Sequence, residues 1–135
     1  QAIIHMIKGF IDKHSFAVAF ESLGQQKFFS MLKQVDGIIG NSSSGILEAP
    51  SFGTITINIG NRQTGRIKAD SVIDCNPHRK DIYQAIQSIY SKRYLEISKK
   101  VKNPYKNGAT STKIFQKLVN YPLKSIQSKS FFDLS

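Results

Sequence analysis

Four short apolar runs alternate along this chain with longer segments of helical spacing. These runs are FAVAF (16–20), GIIG (37–40), TITINIG (54–60) and SVIDC (71–75). Each is shorter than a helix usually needs, and together they are typical of buried strands. Strands that alternate with helices indicate parallel pairing with helical crossovers on both faces of one sheet. We therefore predict an α/β, three-layer, Rossmann-like sandwich in one domain.

Helices are predicted wherever the apolar spacing returns to the helical period. The predicted segments are 1–15, 25–35, 46–52 with a break near Pro50, 76–91, 91–101 and 109–122. Asn76 is predicted to cap the fourth of these, with Pro77 in its first position.

The charge is placed unevenly. The chain holds 19 Lys and Arg against 9 Asp and Glu, a net charge of +10. Residues 1–61 carry equal numbers of acids and bases, so the whole excess lies from Arg62 onward. A basic segment of this kind attracts phosphorylated ligands or polyanions. The alternative is that its charges form a solvated helical face. A nucleic-acid-binding module is disfavoured, because the basic residues are not interleaved with aromatic residues on one strand face and no known binding motif is present.

Several other classes are excluded by composition. No apolar run approaches the roughly 18 residues of a membrane span, and the N-terminal residues do not resemble a signal peptide. A single cysteine, Cys75, allows no internal disulfide and fits a reducing compartment, so we expect a cytoplasmic protein. His5, His14 and His78 lie at unrelated spacings, and no metal site is predicted.

Two polar loops directly follow predicted strands. NSSSG (41–45) follows the second run and NRQTGR (61–66) follows the third. Ligands of doubly wound sheets bind beyond the carboxyl ends of the strands, so we expect the chemistry there. Gly45 opens a helix whose first amides, with the hydroxyls of Ser42, Ser43 and Ser44, favour a diphosphate. The alternative is an ordinary capped helix start.

Three charged side chains extend this hypothesis. Glu48, one turn into the helix, is suited to accept two hydrogen bonds from the vicinal diol of a ribose. Arg62 and Arg66 follow the next strand, and two guanidinium groups would neutralise a diphosphate. The alternative for both arginines is an exposed surface position. Asp70 and Asp74 flank a strand and are expected to be solvated, so they are not assigned to catalysis.

The segment IIGNSSSGILEAPSFGTITINIGNRQTGR (38–66) closely resembles the C-terminal half of the hydrolysing UDP-N-acetylglucosamine 2-epimerases of sialic-acid pathways. The resemblance runs from Leu23 to Cys75 and, more loosely, through NPY (103–105) into the last helix. It implies a GT-B-like fold that binds a UDP-sugar between two Rossmann-like halves. Residues 1–135 would then be the UDP-binding C-terminal domain of a bacterial enzyme.

The resemblance also implies roles for residues of the two loops. Ser42 and Ser43 would bind the diphosphate, Glu48 the ribose, and Arg62 the phosphates. Leu23 and Phe28 fall at the positions that bind the uracil. The expected UDP site is completed by Ser44, Gly45 and Arg66.

The family reaction eliminates UDP across C1 and C2 of UDP-N-acetylglucosamine and adds water, giving N-acetylmannosamine, without a cofactor. The acidic residues that act on the sugar belong to an N-terminal domain absent from this chain. We therefore assign no catalytic residue and expect the segment alone to be inactive. Gln1 is expected to begin a truncated segment within a helix, and the intact protein is expected to form a homo-oligomer.

Two other enzyme classes share such a nucleotide-binding half. One is the GT-B glycosyltransferases, and the other is the non-hydrolysing epimerases. The loop pattern RQxGR, present here at 62–66, favours the hydrolysing family over both.

Overall fold

The computed structural model describes residues 2–122, which fall into two compact units that divide between Pro104 and Tyr105. The elements of the first unit are α1 (Ala2–Ile11), α2 (Gly24–Leu32), β1 (Gly37–Gly40), α3 (Ser44–Leu47), a 3₁₀ turn (Ala49–Phe52), β2 (Ile55–Ile59), β3 (Val72–Cys75), α4 (Arg79–Ile89) and α5 (Lys92–Lys100). The second unit contains α6 (Thr110–Val119). No helix of the described residues is long and apolar enough to cross a membrane.

The three strands form one parallel sheet in the order β1-β2-β3. Gly37 of β1 lies opposite Ile55 of β2, and Thr56 of β2 lies opposite Val72 of β3. All three carboxyl ends therefore meet at one edge of the sheet. The predicted α/β fold with a parallel, Rossmann-like sheet is confirmed.

The central strand, β2, presents isoleucines to one layer of helices. Ile55 and Ile57 are 3% exposed and pack with Ala85 and Ile89 of α4 in the main apolar core. Because successive strand residues point to opposite faces, the residues that alternate with these isoleucines point to the other face of the sheet.

The opposite face of β2 is polar, yet it is buried. The Thr54 hydroxyl donates a hydrogen bond to the Leu32 carbonyl at the end of α2. The Thr56 hydroxyl donates to the Gly45 carbonyl of α3 at 2.7 Å. Both threonine hydroxyls therefore have a hydrogen-bond partner, and these bonds hold α2 and α3 on this face as the third layer of the sandwich.

Two local predictions are wrong. FAVAF (16–20) forms no strand, since an extended segment needs a neighbouring strand and none pairs with it among the described residues. Asn76 does not cap α4. His78 holds the N-cap position in an extended conformation, and the helix begins at Arg79.

Helix α1 forms near the predicted position, with Gln1 outside the described residues. Its apolar side chains are largely exposed, as are those of Phe16 and Phe20 in the segment that follows. In the second unit, α6 follows Ala109, which has a left-handed conformation, and ends at Val119, before the predicted end near Pro122.

Candidate functional site

The loop between β1 and α3 leaves the sheet at Gly40, whose φ of 150° is a conformation that side chains strongly disfavour. The Ser42 hydroxyl accepts a hydrogen bond from the Ser44 amide at 3.3 Å. Among the described residues, the amides of Ser42 and Ser43 have no hydrogen-bond partner. These two amides are therefore the ones available to an anion at this edge.

Gly45 is buried against the sheet. A Cβ atom at this position would stand 2.5 Å from Cγ2 of Thr56, and the Gly45 amide already contacts the Ser42 carbonyl at 3.3 Å. The packing of α3 on β2 is thus sufficient to require glycine here. A contact between Gly45 and a phosphate stays a prediction.

A cleft of about 570 Å³ opens between the start of α2 and the outer side of α3. Four residues of the predicted UDP site line it, although they come from sequence segments some twenty residues apart. These residues are Leu23, Phe28, Ser44 and Glu48. The cleft thus combines apolar side chains with hydroxyls and carboxylates, since Phe20, Phe29, Glu21 and Ser22 also line it, and such a mixture suits a nucleoside.

The loop after β2 (61–66, the arginine loop) approaches the loop after β1 (41–45, the serine loop) from the neighbouring strand. Nη1 of Arg62 lies 3.4 Å from the Asn41 carbonyl oxygen, and Nε2 of Gln63 donates to the same oxygen at 2.8 Å. The guanidinium of Arg62 is consequently next to the residue that precedes Ser42. Arg62 and the serine loop meet at one edge of the sheet, as predicted from the strand order.

Arg66 does not join this group. It is exposed, and within residues 2–122 its guanidinium makes no hydrogen bond or ion pair. Its contact with UDP stays a prediction.

The helical turns that carry Glu48 are held from a distant segment. Nδ2 of Asn103 donates to the Leu47 carbonyl at 2.7 Å and to the Ser51 hydroxyl at 2.6 Å. These two acceptors stand on either side of Glu48. Asn103 therefore fixes the backbone that positions this carboxylate.

A second hollow, of about 490 Å³, lies at the carboxyl ends of β2 and β3. Within it, Asp74 accepts hydrogen bonds from Lys68 at 2.7 Å and from the buried Asn58 at 2.6 Å. Burial alone would raise the pKa of the Asp74 carboxyl, but the hydrogen bonds and charge of its partners prevail and lower it. Asp74 is therefore ionised and paired at neutral pH.

Cys75 lines the same hollow. Burial, followed by the nearby charges of Asp81 and Asp74, raises the pKa of its thiol. A neutral thiol is a poor nucleophile. Within the described residues no three His, Cys, Asp or Glu side chains are grouped as metal ligands would be.

Comparison with known proteins identifies the family. The sequence profile described as UDP-N-acetylglucosamine 2-epimerase matches residues 1–119. This chain belongs to the UDP-N-acetylglucosamine 2-epimerase family. That family lies within the GT-B-like superfamily, which agrees with the parallel sheet and its flanking helices.

Several curated epimerases are similar to the chain. A GDP/UDP-N,N'-diacetylbacillosamine 2-epimerase (hydrolyzing) of Campylobacter jejuni is 41% identical over 98% of this chain and 34% of its own length. A UDP-N,N'-diacetylbacillosamine 2-epimerase (hydrolyzing) of Legionella pneumophila is 34% identical, over 91% of the chain and 31% of its own length. A UDP-N-acetylglucosamine 2-epimerase of Neisseria meningitidis is also 34% identical, over 87% of this chain and 31% of its own length. The chain thus spans about a third of these epimerases.

Two residues that support the candidate site were missed by the sequence analysis. Gln63 belongs to a polar loop in which glutamine is ordinarily exposed, so only its place in the RQxGR pattern singled it out. Asn103 begins the NPY segment, which carries the weaker part of the resemblance. Neither signal indicates which backbone group the side chain reaches.

Proposed function

We propose that this chain is the UDP-binding half of a hydrolysing 2-epimerase that releases UDP from a UDP-2-acetamido sugar. The observation that carries the proposal is the shared cleft of Leu23, Phe28, Ser44 and Glu48. Its volume of about 570 Å³ is typical of small-molecule sites, which span roughly 300–1,000 Å³.

The nucleoside would occupy this cleft. The uracil would lie against Phe28 and the backbone of Leu23, while Glu48 would accept hydrogen bonds from the two ribose hydroxyls. An ionised carboxylate is acceptor-only, and the diol offers two donors at the right separation for its two oxygens.

The diphosphate would extend from the cleft toward the serine loop. There it would meet the hydroxyls and free amides of Ser42 and Ser43, and the guanidinium of Arg62. When UDP departs, negative charge accumulates on its β-phosphate. These donors would then bind the leaving group more strongly in the transition state than in the bound substrate.

Proton removal at C2 and addition of water need positioned acids and bases, which we assign to the N-terminal half of the intact enzyme. For UDP-N-acetylglucosamine the products would be N-acetylmannosamine and UDP. We expect the intact protein to be a cytoplasmic homo-oligomer and the isolated chain to lack turnover.

A second candidate substrate is UDP-N,N'-diacetylbacillosamine. The similarity to two epimerases named for this sugar, one of them 41% identical, favours it. Incubation of the intact protein with each UDP-sugar separates the candidates. Free UDP with a 2-epimerised monosaccharide supports a hydrolysing enzyme. A reversible mixture of two UDP-sugars would instead show a non-hydrolysing epimerase, and transfer of the sugar to an acceptor would show a glycosyltransferase.

Titration of UDP into the 135-residue chain tests the site directly. We expect Glu48→Gln and Arg62→Ala each to weaken binding about tenfold, about 1.4 kcal/mol, and added salt to weaken wild-type binding more than binding to Arg62→Ala. Lys13→Ala is the control, because it removes one exposed positive charge that is not among the residues lining the cleft. Equal affinity in all four proteins would overturn the site.

A further inference from the structure

Gln63 is buried inside a loop that is otherwise exposed. It retains 3% of its accessible surface, whereas Arg62 and Thr64 on either side of it are exposed. Glutamine is a polar residue that usually stays at the surface. The burial of Gln63 therefore needs an explanation from the contacts that its side chain makes.

The side chain of Gln63 joins two loops that are far apart in sequence. Its Nε2 donates to the Asn41 carbonyl at 2.8 Å, across a separation of 22 residues. The same carbonyl lies 3.4 Å from Nη1 of Arg62, a weaker contact. Gln63 therefore makes the shorter of the two side-chain hydrogen bonds that connect the arginine loop to the serine loop.

The rest of the arginine loop is anchored on its other side. The Gly60 amide donates to the Cys75 carbonyl of β3 at 2.9 Å. Within the loop, the amide and hydroxyl of Thr64 both donate to the Asn61 carbonyl, at 3.0 and 2.7 Å. The loop is thus a compact turn fixed to β3, and Gln63 sets its distance from the serines.

The second polar atom of the Gln63 amide has no partner. Oε1 is buried and accepts no hydrogen bond from the described residues. Rotating the amide by 180° would place this oxygen against the Asn41 carbonyl oxygen, so Nε2 must be the atom that faces Asn41. A buried acceptor without a donor opposes folding. An apolar side chain of equal length would avoid that cost, and so stability alone does not account for glutamine.

We infer that Gln63 is a positioning residue, which holds the Arg62 guanidinium and the serine loop at the separation that one diphosphate spans. The inference rests on the proposed function for its ligand. Gln63 itself touches no part of UDP and acts through Asn41 and Arg62.

The test compares Gln63→Met with wild type in the 135-residue chain, using UDP and uridine as separate probes. Methionine matches glutamine in length but cannot donate to Asn41. We expect the variant to bind UDP about tenfold more weakly and uridine equally well, because the nucleoside cleft is unchanged. Thermal unfolding should occur at the same or a higher temperature, which a merely structural role for Gln63 would not allow.

Two further measurements complete the experiment. Hydrogen exchange of the hydrogen-bonded amides of Ser44, Thr64 and Arg66 should accelerate in Gln63→Met without ligand, since the loops are no longer joined. Thr64→Ala, a neighbour that bonds only within its own loop, should retain UDP affinity within twofold.

The outcomes are distinguishable. If wild type binds UDP and Gln63→Met binds it equally, the inference is overturned and the proposed function stands. A parallel loss of uridine binding or a lower unfolding temperature would make Gln63 a structural residue, and would also overturn the inference. A wild-type chain that binds neither probe overturns the proposed function, and the inference with it.

Discussion

Gly45 and Thr56 show how one pair of residues connects the sheet to the candidate site. The methyl group of Thr56 occupies the space that a side chain at position 45 would need, and its hydroxyl bonds the carbonyl of the same glycine. The first turn of α3 is consequently seated directly on β2. The direction of the serine loop follows from this contact.

Gly45→Ala is therefore expected to destabilise the chain. Its new methyl group would meet Cγ2 of Thr56 at 2.5 Å in a buried position, and overpacking of this kind costs about 1–3 kcal/mol. Urea unfolding, followed by circular dichroism, measures the loss.

A double variant tests the cause of that loss. Thr56→Ser removes the obstructing methyl group but keeps the hydroxyl, so Gly45→Ala should cost at least about 1 kcal/mol less in the Thr56→Ser background. Additive effects of the two substitutions would show that the strain at position 45 has another origin.

Asp74 gives a pH-dependent prediction. Its carboxyl pKa is lowered in the folded chain, so its contribution to stability is complete above the ordinary value of 3.8 and is lost as the pH falls below it. Because the side chain is 53% exposed, the pair with Lys68 should contribute only about 0.5–1 kcal/mol.

Asp74→Asn should reveal this contribution. We expect the variant to be less stable than wild type at pH 7, and the difference to shrink as the pH falls below 3.8, when wild-type Asp74 also becomes neutral. Urea midpoints at several pH values measure it. A difference that stays constant down to pH 2.5 would contradict the pairing.

The positions of single residues were predictable only where a local pattern determines them. Ser42, Ser43 and Glu48 were expected near the carboxyl edge of the sheet because their loop follows a strand and leads into a helix, and their contacts with UDP stay predictions. The burial of Gln63 and the packing role of Gly45 depend on partners in other segments. Spacing within one loop contains no information about those partners.

At the level of elements, the short helical turns of α3 depend on a support from outside. Neither α3 nor the 3₁₀ turn after it is long enough to be stable alone. Thr56 holds the first turn and Asn103 holds the last. Glu48 stands between these two supports.

Asn103→Ala should loosen the second support. We expect a loss of about 1 kcal/mol in the free energy of unfolding and faster hydrogen exchange of the amides of Glu48, Ser51 and Gly53. Asn76→Ala is the matched control, because Asn76 is exposed and has no hydrogen-bond partner among the described residues. Equal unfolding free energies of the two variants would exclude the proposed support.

Three of the four predicted strands form, and the fourth shows what periodicity leaves undetermined. The runs that became β1, β2 and β3 are neighbours in one sheet, so each has a pairing partner. FAVAF (16–20) is also a short apolar run, but it has no partner strand among the described residues. A strand is a property of pairing, whereas the helices, whose hydrogen bonds are internal, were predicted to within a few residues.

For the whole molecule, the parallel sheet and the position of the site at its carboxyl edge were predictable, because connection rules allow few arrangements of alternating strands and helices. The depth of the nucleoside cleft was not. It depends on how α2 lies beside α3, and that arrangement is supported by the buried hydroxyls of Thr54, which precedes β2, and Thr56 within it, rather than by any apolar pattern.

The excess of positive charge from Arg62 onward has two interpretations that salt separates. If these charges form only a solvated surface, they bind a polyanion through many weak contacts at once. Random-sequence RNA whose phosphates contact six or more Lys or Arg side chains should lose on the order of 10³ in affinity between 50 and 200 mM salt. UDP, held through its nucleoside as well as its two phosphates and by few cations, should lose less than about tenfold.

Fluorescence anisotropy with a labelled 20-nucleotide RNA, beside UDP calorimetry in the same buffers, measures both slopes on the same chain. We expect UDP binding to persist at 200 mM salt and RNA binding to vanish, because RNA would be held mainly through its phosphates and such contacts weaken steeply as salt is added. Submicromolar RNA binding at 200 mM salt, without binding of UDP, would instead favour a nucleic-acid module over a nucleotide-sugar enzyme.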